Sequence, residues 1–216
     1  MKEIIEIIFK NLENENYVII KHTNFNYEER GNDIDILCDN IPIIRDKIIR
    51  SSSSWLNKSR SIKADYENDE RLLIDFIENK ELIFRLDIYQ TLGNYNKIIL
   101  KNSLKDVILE TKEILNLDSY RINVPKKIYD NILRYIEYIE YFDIRQDKVK
   151  HLNYLEKNIE NEALFYRTLH YFIKVPNPQP SVKRRLSKKD IRMIFKKIKQ
   201  TPINELIPKI IKFFKK

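Results

Sequence analysis

Asp33 and Asp35 stand two residues apart in Asp33-Ile34-Asp35-Ile36-Leu37-Cys38, and residues two apart in an extended strand emerge on the same face. Two carboxylates so placed, with Cα atoms roughly 6 to 7 Å apart, repel each other unless a cation compensates them. Magnesium, or manganese in its place, suits such a pair, because it takes carboxylate oxygens together with substrate phosphates and keeps some of its waters. Asp87 is the third acid of interest. It interrupts the apolar run Leu82-Ile83-Phe84-Arg85-Leu86-Asp87-Ile88-Tyr89, where a strand built for packing alone would not place a charge, and it is the candidate to complete a metal cage. Asp75, in Leu73-Ile74-Asp75-Phe76-Ile77, is its rival. With a hairpin turning at Asn79-Lys80, residue 78 pairs with 81, 75 with 84 and 72 with 87, which puts Asp75 on the face opposite Asp87. Candidate phosphate partners are Lys21, Thr23, Asn24, Arg30 and Arg85. Arg85 is the strongest, since it lies two residues before Asp87 and shares its face.

These residues need a scaffold, and hydrophobic periodicity supplies one. Ile4, Ile5, Ile8, Phe9 and Leu12 recur at helical spacing, then Tyr17 to His22 reads as a strand and Thr23 to Asn32 as a polar loop containing Gly31. The Asp33–Cys38 strand follows. Pro42 can open a helix through Arg50, which the serines at 51–54 end. A strand near Ser61 to Tyr66 and a hairpin of Leu72–Ile77 with Leu82–Tyr89 complete the strand-rich part. After Gly93 the period becomes helical, with helices expected near Ser103–Asn116, Pro125–Phe142 and Asp147–Ile173, the last broken near Asn158–Asn161. Strands crowd the first hundred residues and helices follow, so the predicted class is α+β: a mixed sheet with flanking helices over 1–95, a helical domain over 96–175, and a proline linker (Pro176, Pro178, Pro180) with a basic tail over 176–216.

Composition narrows the classes further. A chain of 216 residues, 43% hydrophobic and 33% charged, has an ordinary globular balance. No apolar run approaches the roughly 18 residues that span a bilayer, which predicts a soluble, intracellular chain. The single cysteine, Cys38, excludes an internal disulfide and a thiolate metal cluster. It reads as a small buried hydrophobe. His22, His151 and His170 are too dispersed for ligand spacing, and two glycines cannot build a Walker or dinucleotide loop. Tyr129, Tyr135, Tyr138 and Tyr141 read as core and interface packing.

The charge is uneven. Residues 183–216 hold thirteen Lys or Arg against Asp190 and Glu205, so the rest of the chain is mildly acidic although the whole carries +8. Within this tail Ile203, Leu206, Ile207, Ile210, Ile211 and Phe214 recur at helical spacing, with Phe213 beside them and Lys209, Lys212, Lys215 and Lys216 around them. That is a cationic amphipathic helix, suited to the anionic surface of a membrane. RNA is the second candidate partner, but the aromatic interleaving of a single-strand binder is sparse.

The strand, the polar loop, Gly31-Asn32-Asp33-Ile34-Asp35-Ile36-Leu37 and the later Asp87 together resemble the nucleotidyltransferase-fold (DNA polymerase β-like) superfamily. The resemblance is to its small bacterial members associated with surface polysaccharide synthesis, and it covers residues 1 to about 95. It implies a cytoplasmic, magnesium- or manganese-dependent nucleotidyl- or phospho-group transferase. The donor would be a nucleotide or nucleotide-linked molecule and the acceptor a glycan or lipid-linked glycan, with the tail docked peripherally at the inner membrane. By the same resemblance Asp35 bridges two metals, Asp33 assists, and Asp87 holds the catalytic ion and accepts the acceptor's proton. One departure stands out: the family carries Gly-Ser or Gly-Gly after its first strand, where this chain has His22-Thr23-Asn24. That departure motivates two alternatives, a catalytically degenerate binding module and an antitoxin-like or RNA-modifying transferase that grips RNA with its tail.

Overall fold

The computed structural model describes residues 1–24, 30–93 and 95–174, all within one compact unit, Met1–Pro176. The proline linker and the basic tail, with Lys209, Ile210, Ile211, Lys212, Phe213 and Phe214, lie outside the described residues. No described helix is long and apolar enough to cross a membrane.

Helix α1 (Lys2–Leu12) buries the five apolar residues that its sequence spacing aligns on one face. Strand β1 (Tyr17–Ile19) is shorter than predicted: Lys21 takes a left-handed backbone at φ 57°, and His22–Asn24 form a 3-10 turn. Strand β2 (Asn32–Cys38) leads into α2 (Ile41–Ser51), whose first turn is capped by the Asn40 side chain accepting the Ile43 N–H at 3.0 Å. Strands β3 (Arg60–Asn68), β4 (Arg71–Glu78) and β5 (Glu81–Tyr89) follow. Asn79 and Lys80 both have positive φ, as a tight two-residue hairpin requires. These strands form one five-stranded sheet in the order β1-β2-β5-β4-β3, in which only β2 and β5 run parallel. The α+β class with a mixed sheet and flanking helices is therefore as predicted.

Beyond the sheet lie β6 (Ile99–Leu100), α3 (Ser103–Glu110), β7 (Glu113–Asn116), β8 (Arg121–Val124), α4 (Lys127–Tyr141), α5 (Val149–Asn158), α6 (Glu162–Phe172) and β9 (Ile173–Lys174). The helix expected over Ser103–Asn116 stops early. Residues 113–116 instead pair antiparallel with β8, whose Ile122 and Val124 are buried in the core. Pairing to a strand that is itself packed overrides the local helical pattern.

The two sheet faces differ. Ile34, Ile36, Leu72, Ile74, Phe76, Leu86 and Ile88 pack beneath α1 and α2 in one core. The other face is covered at one end only, where Val18 and Leu37 join residues of α3, α4 and α6 in a second core. Along β2 that second face passes from exposed Asp33 through half-buried Asp35 to buried Leu37.

A β-bulge corrects the predicted hairpin register. Residue 78 does pair with 81, but Ile77 pairs with Leu82 and Phe76 with Phe84, leaving Ile83 extra. Asp75 therefore lies opposite Arg85 and shares the face of Asp87 rather than the opposite one.

Candidate functional site

Across β2, β5, β4 and β3 one row of side chains reads Asp33, Arg85, Asp75, Lys63. Its signs alternate, so the sheet compensates itself. Arg85 donates to both oxygens of Asp75, at 2.6 and 3.0 Å, and is committed there rather than to a phosphate. The next row breaks the rule: Asp35 lies directly opposite Asp87. Like charges side by side on neighbouring strands are destabilising, so two flanking cations hold them.

The first is Arg71. Its Nε donates to Asp87 Oδ1 at 2.9 Å and its Nη2 to Asp87 Oδ2 at 2.6 Å, while Nη1 reaches Glu67 at 2.6 Å. Its guanidinium also stacks 5.1 Å from the Tyr89 ring. The second is Lys21, whose ammonium lies 2.6 Å from Asp35 Oδ2 and 2.5 Å from Glu137 Oε1. The Tyr89 hydroxyl closes the row, donating to Asp87 and lying 3.4 Å from Asp35 Oδ1.

These groups line a cleft of 690 Å³ at the edge of the helical cover. Its far wall comes from α4, the turn that follows it and the start of α5: Glu137, Tyr141, Arg145, Lys148, Lys150 and His151. Glu137 is the hub, accepting from Lys21 and from Lys148 at 2.6 Å, with His151 Nε2 at 3.1 Å. Burial alone would raise the Glu137 carboxyl, but His151, Lys21 and Lys148 hold it far below the usual range. Burial works to lower the Lys21 ammonium, yet Asp35 and Glu137 carry it above its ordinary value. Asp33 is raised, first by burial and then by Asp35 and Asp87, with Arg85 opposing. The Tyr89 phenol is pushed up by burial and the neighbouring carboxylates, so it remains a hydrogen-bond donor.

The loop after β1 is tied to α4. The Lys21 backbone N–H donates to Asp130 at 3.2 Å, and Arg134 donates to Asp130 at 2.7 Å and to the Thr23 hydroxyl at 2.7 Å. Arg134 and Asp130 are each about 1% exposed, and Arg134 stacks 4.0 Å from the Tyr154 ring. Thr23 is thus engaged away from the cleft. Asn24 belongs to the 3-10 turn, and its side chain lies outside the described residues. Arg30 is exposed and paired with Glu78 and Glu81 at 3.4 and 3.7 Å, outside the cleft. Cys38 is buried, its thiol pushed up to about 12 chiefly by burial, as befits a small hydrophobe.

Of the predicted residues the structure brings together Asp33, Asp35, Asp87 and Lys21, and it leaves Thr23, Arg30 and Arg85 with other partners. Arg71, Tyr89, Glu137, Lys148 and His151 were not singled out by sequence as site residues. Arg71 alone left a trace, a charge at the start of an apolar strand.

The donor set is all oxygen, as a hard cation prefers, but the arrangement does not fit one. Lys21 occupies Asp35, Arg71 and Tyr89 take both oxygens of Asp87, and no three His, Cys, Asp or Glu side chains among the described residues are grouped to hold an ion.

No family model matches the chain, and no curated protein matches it. Among solved structures it is similar to the Megavirus polyadenylate synthase, with a TM-score of 0.32 and 10% sequence identity. The match covers 76% of this chain and 38% of that one, so the chain spans well under half the length of that structure.

Proposed function

We propose that this chain is a nucleotidyl- or phospho-group transferase whose reacting centre is the Asp33, Asp35 and Asp87 cluster. The observation that carries the reading is the parallel register of β2 and β5, which sets Asp35 against Asp87 with Asp33 on the same face of an open cleft. A fold rarely retains such a like-charge pair without a use for it. Transfer exchanges a phosphorus–oxygen bond to the leaving group for one to an acceptor hydroxyl, whose proton must go to a base. Asp33 is the exposed acid of the three, and its raised affinity for a proton suits it to that task. Lys150 on the opposite wall offers positive charge to a phosphate.

The resemblance noted in the sequence extends the reading to a nucleotide-linked donor and a glycan or lipid-linked acceptor. The net charge of the tail supports work at the cytoplasmic face of a membrane. The degenerate binding module is the second reading, favoured by one observation: the protein's own cations already neutralise Asp35 and Asp87.

The test is turnover and thermal shift with a panel of nucleoside triphosphates and nucleotide-linked sugars, with magnesium or manganese, on wild type and Asp33→Asn/Asp35→Asn. Donor-dependent stabilisation and turnover, both lost in the variant, are expected. Binding by the wild type without turnover selects the degenerate module, and no response to any donor refutes both.

A further inference from the structure

Helix α6 buries Phe165, Leu169 and Phe172 in the second core. Its other side carries Tyr166, Arg167, His170 and Tyr171, all exposed and spaced at i, i+1, i+4 and i+5, so that they share one face. Tyr166 and Tyr171 are 46% and 61% exposed, yet both rings are held. Tyr166 makes a T-shaped contact with buried Phe165 at 5.3 Å between centroids, and Tyr171 does the same with buried Phe172 at 4.8 Å. A ring anchored by its neighbour and open to solvent loses little further freedom when a flat group stacks on it.

Cations surround these rings. The Lys101 N–H donates to the Phe172 carbonyl at 2.9 Å, and the Lys101 ammonium lies 3.9 Å from the centre of the Tyr171 ring. Lys174, paired with Ile99 across β6 and β9, is exposed at the end of the same segment. Arg167 and Lys174 have no ion pair among the described residues, and the one acid of the helix, Glu162, sits in its first turn.

Tyr166 and Tyr171 are separated by about 7.5 Å along the helix axis, more than twice the roughly 3.4 Å between successive bases of a duplex strand. The spacing suits two bases of an extended single strand, each on its own tyrosine, with phosphates meeting the cations. A membrane fits less well, because the apolar side of α6 is turned into the core. A protein partner would have to bury cations without compensation. His170 lies near-parallel to Tyr166, 28° between planes, and its ring nitrogens can bond a 2′-hydroxyl, the group that separates RNA from DNA.

We infer that the outer face of α6, with Lys101 and Lys174 beside it, binds single-stranded RNA by stacking bases on Tyr166 and Tyr171 and pairing phosphates with Arg167, Lys101 and Lys174. None of these residues lines the acid cleft, so the inference stands apart from the transferase reading. The aromatic interleaving that is sparse in the tail is present here.

The test is fluorescence anisotropy of a short, unstructured, labelled RNA with the full chain across a salt series. High salt screens the charge of residues 183–216 while stacking persists. Tyr166→Ala and Tyr171→Ala are each expected to weaken binding on the order of tenfold with the salt slope unchanged. Tyr171→Phe should bind as wild type, since the ring and not the hydroxyl carries the stacking. Arg167→Gln should lower the salt slope by about 0.7, one phosphate contact on a single strand. The substituted side chains are exposed, and circular dichroism confirms that each variant is folded.

Unchanged affinity in both alanine variants overturns the inference and assigns any RNA binding to the tail. Loss in Tyr171→Phe equal to that in Tyr171→Ala overturns the stacking role. Tighter binding of the deoxy oligomer or of the RNA duplex overturns the assignment to single-stranded RNA. Flotation with phosphatidylglycerol vesicles that Tyr171→Ala abolishes, with RNA affinity unaffected, makes the face a membrane contact instead.

Discussion

Asp35 and Asp87 occupy directly paired positions on the parallel strands β2 and β5, and the Tyr89 hydroxyl contacts both carboxylates. In the neighbouring row Asp33, Arg85, Asp75 and Lys63 alternate in sign, whereas this pair sets acid against acid.

Because Asp87 is 6% exposed and binds Arg71 through two hydrogen bonds, Asp87→Asn leaves a guanidinium facing a neutral amide. The expected loss is about 2 kcal/mol, roughly 4 to 8 °C in Tm. Differential scanning calorimetry checks it, and an unchanged Tm would show that the pair contributes nothing to the fold.

Asp33→Asn should move the other way. The Asp33 carboxyl is raised by burial and by Asp35 and Asp87, so its ionised form opposes folding at neutral pH. As an acid whose folded value is raised, its penalty is fully present above that value and fades as pH falls toward its ordinary 3.8. The variant should therefore melt slightly higher than wild type at pH 7, with the difference shrinking in acid, while transfer activity is lost.

Glu137 gives the opposite sign. Its folded value lies far below the ordinary 4.5, so its stabilisation is complete above that ordinary value and is lost progressively as pH falls below it toward the folded one. Urea unfolding between pH 7 and pH 3 should show wild type losing stability below about 4.5, and Glu137→Gln losing less over the same interval.

Arg134→Ala removes the partner of a buried acid, Asp130, and leaves the Thr23 hydroxyl without its donor. Breaking a buried pair by removing one partner costs about 3 to 5 kcal/mol, so unfolding in urea should shift to markedly lower midpoints. A shift under about 1 kcal/mol would contradict the role assigned to this pair.

What could be read beforehand followed local period. The alternation in Asp33–Cys38 names both the strand and the face of its acids, and the spacing of α1 names its buried side. The bulge at Ile83 was not legible, because Ile83 and Phe84 are both apolar and both end up buried, so either register hides apolar surface. Residues 113–116 read as helix because their exposed Ile114 and Leu115 mimic a helical period, and only the packed partner strand decides otherwise. Glu137 was invisible as a site residue since Lys21, its partner, is 116 positions away. On α4 it looks like any solvated charge until the fold brings the two together.

The ties from α4 to the turn after β1 bear on how the protein can be shortened. A polypeptide ending after β5 would lose the acceptor of the Lys21 N–H and the donor to Thr23. It would also bare Val18 and Leu37, which are fully buried against the later helices. Such a fragment would keep all three aspartates and yet present a sticky, unanchored sheet. It would come out of expression as aggregate, so a minimal working version has to retain α4.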